Sequence, residues 1–180
     1  MSTIQSYVNA LSGLPGLGLP EIFESKFGWQ YNLLSHRAQK DLVTLHIGKI
    51  QNGDHLIISE SGFTENPKIS SVSEMVNANL ISMGYPLYYI KEALGLKNIP
   101  LDTSYSLLYR SASLVLEAER LHIKNTVLIL ETNEVTPIVN NFYKKFTKLF
   151  CDGGQLNCFH QSELQGRARF FFGLFESNQH

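Results

Sequence analysis

Two carboxylates, Asp41 and Glu60, bracket the stretch DLVTLHIGKIQNGDHLIISESGF. Acids brought together from neighbouring strands offer hard oxygen ligands of the kind that suit Mg²⁺ or Mn²⁺. A cation held there polarises a phosphate and lowers the pKa of its bound water, which is the chemistry of phosphodiester hydrolysis. Glu21 and Glu24, three apart in PEIFESKF, share one face of a helix over that stretch and are candidates for a further acid on the metal. Charge on the attacking hydroxide and on phosphorus also calls for a cationic side chain close by. The residue two after Glu60 is Gly62, so that cation must come from elsewhere, and Lys40, Lys68 and Arg110 are the nearest substitutes in sequence. The plainer account of Asp41 and Glu60 is that they are polar strand ends.

Other groups compete for attention. Ser106, Arg110, Ser113, Glu117 and Arg120 recur at four, three, four and three, a polar stripe on an otherwise apolar helix. Such stripes usually face water. If this one lines a cleft instead, Arg110 becomes a bidentate clamp for phosphate or carboxylate. His36 and Arg37, in SHRAQKD, put donors just upstream of Asp41, with His36 a candidate proton shuttle. A small-molecule enzyme built on Arg110, Glu117 and His36 is a third reading, with no spacing to support it. Cys151, Cys158 and His160 in CDGGQLNCFH lack a fourth ligand and the usual spacing of a zinc site, so two free thiols are expected. There is no GxSxG, Walker loop, GxGxxG or HExxH.

The elements that would position these residues follow from patterning. Ile4 to Leu11 reads as a short helix, broken by LSGLPGLGLP, and Pro20 with Glu21 suits the start of a second helix. WQYNLL has the aromatic and branched character of a strand. From Asp41 the residues alternate, and Asn52-Gly53 signals a hairpin that sets Glu60 opposite roughly Leu45, with Asp41 and Glu60 at one end. SVSEMVNANLISMG and PLYYIKEALGL read as helices, with Gly95 as a stop. SYSLLYRSASLVLEAERLH is the strongest helix, with Asp102, Thr103 or Ser104 to cap it. NTVLILET is a buried strand, VTPIVNNFYKKFTKLF a helix and RARFFFGLFES a final strand. Together they predict one α/β domain with a central mixed sheet and flanking helices, residues 1–18 being an N-terminal extension to a core over 19–176.

At 180 residues, 43% hydrophobic, the chain has the size and composition of a single domain with a proper core. Fifteen Lys and Arg against sixteen Asp and Glu leave no global field to draw it onto DNA or an anionic membrane, so a nucleic-acid surface would have to be local. Lys144, Lys145 and Lys148, interleaved with Phe142, Tyr143 and Phe146, and Arg167 with Arg169, are one such patch; an amphipathic helix with wet lysines is the favoured account. No signal peptide and no membrane span is expected, which points to a cytoplasmic protein.

The order helix with Glu, strand entered by Asp, strand left by Glu, helix, strand is that of the PD-(D/E)xK nuclease core. SYSLLYRSASLVLEAERLHIKNTVLILETNE resembles a block of an uncharacterised family of small bacterial proteins in which LLxRTASAVIEAER precedes a buried strand. The resemblance extends back through AQKDLVTLHIGKIQNGDHLIISESG and GLPEIF, where that family has a QNDLFVL strand and an EGK strand. It implies a restriction endonuclease-like fold with Asp41 and Glu60 in the acid positions, and names no function. The PD-(D/E)xK pattern adds the expectation of a divergent or inactive nuclease with Mg²⁺ or Mn²⁺ as cofactor and nucleic acid as partner, and duplex cleavage, which needs two sites, that of a second copy of the chain. Gly62 departs from the family's Lys. The alternative is a non-catalytic interaction protein, associated with a mobile element or defence system, that keeps the fold.

Overall fold

The computed structural model describes residues 3–29, 42–63, 71–77 and 85–177. Its elements in chain order are α1 (Thr3–Leu11), β1 (Glu21–Trp29), β2 (Leu42–Lys49), β3 (His55–Gly62), α2 (Val72–Asn77), α3 (Tyr85–Leu94), α4 (Tyr105–Arg120), β4 (Asn125–Thr132), α5 (Pro137–Thr147), β5 (His160–Gln161) and β6 (Arg169–Glu176). The strands form a six-stranded mixed sheet in the order β1-β2-β3-β4-β6-β5. β2 runs antiparallel to β1 and β3, β4 runs parallel to β3 and β6, and β5 is antiparallel to β6.

The stretch Glu21–Trp29, expected to be helical, is a strand. Pro20 and Glu21 resemble a helix start, but Ile22, Phe23, Phe27 and Trp29 favour a pleated surface and Gly28 disfavours a helix. Pairing with β2 along the whole length, interrupted by one bulge between Ile22 and Glu24, decides the matter. WQYNLL lies outside the described residues beyond Trp29.

The Asn52-Gly53 hairpin forms as expected, with Gly53 at φ 87° and its N–H donating to Ile50 O at 2.9 Å. Its register places Glu60 opposite Thr44 rather than Leu45. That single step matters because neighbouring residues of a strand face opposite sides of the sheet. Leu56 and Ile58 of β3 pack with Val127, Ile129, Phe171 and Phe175 under α1, whereas Ile57 packs with Leu128, Leu130, Phe170 and Phe172 under α3, α4 and α5. Glu60, in step with Leu56 and Ile58, therefore lies on the α1 face.

Residues assigned by pattern to an extension contribute Tyr7, Leu11 and Leu17 to this second cluster, each almost fully buried. On the opposite face α4 is capped by Ser104, whose hydroxyl accepts from Leu107 N–H at 3.3 Å, and α5 by Thr136 ahead of Pro137. α4 buries Leu107, Leu108, Leu114, Val115 and Ala118, and Tyr143 and Phe146 bring α5 onto the same side.

Candidate functional site

At the C-terminal end of β3, on the α1 face, three side chains from adjacent strands form a continuous line. Ser25 on β1 sits directly opposite His46 on β2, and Glu60 on β3 lies diagonally beyond it. Ser25 Oγ is 2.6 Å from His46 Nδ1, and His46 Nε2 is 2.9 Å from Glu60 Oε2. An ionised carboxylate only accepts, so Nε2 carries the proton given to Glu60; in the neutral ring Nδ1 is then the acceptor for the Ser25 hydroxyl. The line runs from outside to inside: Ser25 is exposed, while the side chains of His46 and Glu60 are 6% and 15% exposed.

The second oxygen of Glu60, Oε1, is buried and has no hydrogen-bond partner among the described residues. Leaving such an atom dry and unpaired is costly. Glu131 stands beside it on β4, on the same face and opposite Gly62. Its Oε1 accepts from Tyr7 Oη at 2.7 Å. Burial, that hydrogen bond and the charges of Glu131 and Glu60 together push the Tyr7 phenol well above its ordinary pKa, so it remains a donor throughout the neutral range.

The residues singled out by pattern are dispersed. Asp41, Lys40, His36, Arg37 and Lys68 lie outside the described residues. Glu24 pairs with Ile47 and Glu21 with Lys49, positions on the sheet face away from Glu60, and Glu21 is also at the far end of the hairpin. A strand separates these two acids from Glu60 where a helix would have left them free to lean over the site. Arg110 is buried under the opposite face: its Nη1 donates to Gly62 O at 2.6 Å and to Ser61 Oγ at 3.4 Å, and its guanidinium sits 5.9 Å from the Phe63 ring centroid. It clamps the end of β3 from behind instead of pointing at Glu60.

The polar stripe on α4, expected to be solvated, turns inward over its first half, where Arg110 and Ser113 are buried; Glu117 is bound by Arg120 through two hydrogen bonds of 2.9 and 2.6 Å. Of the basic residues near the end of the chain, Lys145 pairs with Asp102, Arg167 with Glu119, and Arg169 donates to Asn125 Oδ1 and Pro15 O, while Lys144 and Lys148 are exposed. Cys151 and Cys158 are free thiols, both held above the ordinary thiol pKa chiefly by burial.

Ser25, His46 and Glu131 were not singled out by pattern. The small and polar set Thr44, His46, Gly48 alternating with Val43, Leu45, Ile47 was the signal for His46, and Glu131 was legible as a strand-terminal acid. Ser25 was hidden by the helical reading of β1. Among the described residues no group of three or more His, Cys, Asp or Glu side chains is arranged to hold a metal ion, so Glu60 Oε1 is the one orphaned carboxylate oxygen on this face. No helix among the described residues is long and apolar enough to cross a membrane.

The class defined by the coordinates is a mixed α/β protein with helices on both faces of an open sheet. No family model matches the chain, and comparison with curated proteins and with solved structures finds no similar protein.

Proposed function

We propose that the protein is a slow, divalent-cation-dependent nuclease of restriction endonuclease-like architecture, with Glu60 as its central acid. The observation that carries this reading is the buried, unpartnered Oε1 of Glu60 at the end of β3. The element order supports it: a helix, a three-stranded antiparallel meander, helices and a strand parallel to the third, as the PD-(D/E)xK pattern requires.

A hard oxygen donor suits Mg²⁺ or Mn²⁺; Glu60 with Asp41 would hold the ion, which when bound would acidify a water and polarise a phosphate. Glu60 keeps its Oε1 available because His46 occupies Oε2. Glu131, tied to Tyr7, adds negative charge on the same face without competing for that oxygen. Gly62 supplies no ammonium to the developing negative charge, which is why the proposed rate is low.

Purified protein incubated with supercoiled plasmid and Mg²⁺ or Mn²⁺ should nick it slowly, with loss of nicking in Asp41→Ala and Glu60→Gln and on chelation. Absence of nicking together with absence of Mn²⁺ binding by the parent protein, read by electron paramagnetic resonance, refutes the reading. Mn²⁺ binding without nicking would favour the non-catalytic interaction protein, which the missing side chain at Gly62 also supports.

A further inference from the structure

We infer that Ser25, His46 and Glu60 form a nucleophilic site that hydrolyses carboxylic esters. The inference uses Glu60 Oε2 and needs no cation, so it stands whether or not Oε1 holds one.

A serine hydroxyl is a weak nucleophile until a base takes its proton, and the base is effective when a third group fixes its tautomer and stabilises the cation it becomes. All three conditions are met in one line of contacts: 2.6 Å from Ser25 Oγ to His46 Nδ1, then 2.9 Å from His46 Nε2 to Glu60 Oε2. Burial of His46 excludes water from the base, and burial of Glu60 strengthens its hold on the ring. Ser25 stands at the solvent-facing end, so an ester reaches Oγ without entering the core. β1 is the outer strand of the sheet and has no second strand neighbour among the described residues.

Ser25 Oγ attacks the carbonyl carbon of the ester while its proton passes to His46 Nδ1. The carbon–oxygen bond to the alcohol then breaks, and the leaving alkoxide takes that proton. Water attacks the resulting seryl ester with the same nitrogen as base, releasing the acid and restoring Ser25. Glu60 Oε2 accepts from Nε2–H throughout and fixes the ring.

A fluorophosphonate probe, followed by peptide mass analysis, tests the site directly. Native protein should be labelled at Ser25 in the presence of EDTA. Ser25→Ala should lose the label, and His46→Gln and Glu60→Gln should slow labelling by about a hundredfold, the scale of a lost general base. Labelling of Ser25 no faster than in heat-denatured protein, or labelling abolished by EDTA, would overturn the assignment. Because plasmid nicking needs the cation and labelling does not, failure of the nuclease reading leaves this result untouched.

Discussion

If Glu60 is the cation-binding acid proposed above, replacing Gly62 with Lys should speed plasmid nicking at no cost in stability. Gly62 is exposed at the last position of β3, and a Cβ built on it meets nothing within 4 Å. Its backbone is not in the left-handed region, so any L-residue fits. Same-face residues along a strand are about 6.6 Å apart at 3.3 Å per residue, so an ammonium on its four-carbon stem at position 62 reaches the surroundings of Glu60. Glu131, directly opposite, would attract it, a cross-strand pairing worth roughly 0.2–1 kcal/mol. Losing a glycine from a strand end adds up to about 1 kcal/mol more. Urea unfolding should therefore show Gly62→Lys as stable as the parent or up to about 1–2 kcal/mol more so.

A preorganised charge at such a centre contributes on the order of 10²–10³ in rate, so plasmid nicking by Gly62→Lys should rise about a hundredfold. Gly62→Met, of similar length and uncharged, controls for shape. Equal nicking by the Lys and Met variants, or a loss of more than about 1 kcal/mol on introducing Lys, would refute the placement of Glu60 as the cation-binding acid.

Arg110→Met should cost about 1–2 kcal/mol in urea unfolding, because Gly62 O loses a charged donor held on a buried side chain; a change below about 0.5 kcal/mol would contradict the clamp. Gly95→Ala should cost at least about 2 kcal/mol, since φ is 71° and the new Cβ would lie 2.6 Å from Gln165 O; melting temperature reads it, and an unchanged value refutes it. Burial pushes the Tyr105 phenol up to about 12, so the folded state keeps a proton that the unfolded chain gives up near pH 10. The stability it contributes is intact below pH 10 and lost between pH 10 and about 12, and Tyr105→Phe should flatten the alkaline fall over that window by roughly one proton.

The legible parts of this fold were those in which local chemistry and tertiary pairing agree. Asn52-Gly53 demands one turn, Ser104 has a helix start to cap, and Asn125–Thr132 is apolar because it is covered on both faces. β1 was illegible because its local start signal says helix while its partner strand says otherwise. The one-residue error in pairing Glu60 had the larger consequence, since it exchanges the faces of the sheet and with them the neighbours of the carboxylate. Arg110 was read as part of a stripe that faces water, and its burial was not legible because its target, a backbone carbonyl on β3, has no side-chain signature. The line from Ser25 to Glu60 depends on three-strand register, which spacing within any one strand does not encode.

The parallel contact between β3 and β4 joins residues 69 positions apart, Leu56 with Asn125 and Gly62 with Glu131, across all of α2, α3 and α4, whereas β2 and β3 meet through the Asn52-Gly53 turn. Strands linked by tight turns zip in microseconds, while a far-apart pairing must first pay the entropy of closing a long loop. His46 and Glu60 thus lie on a local pairing, while Glu131 joins Glu60 only through the long-range one, so contact order alone predicts that the hairpin contact forms before the two acids become neighbours.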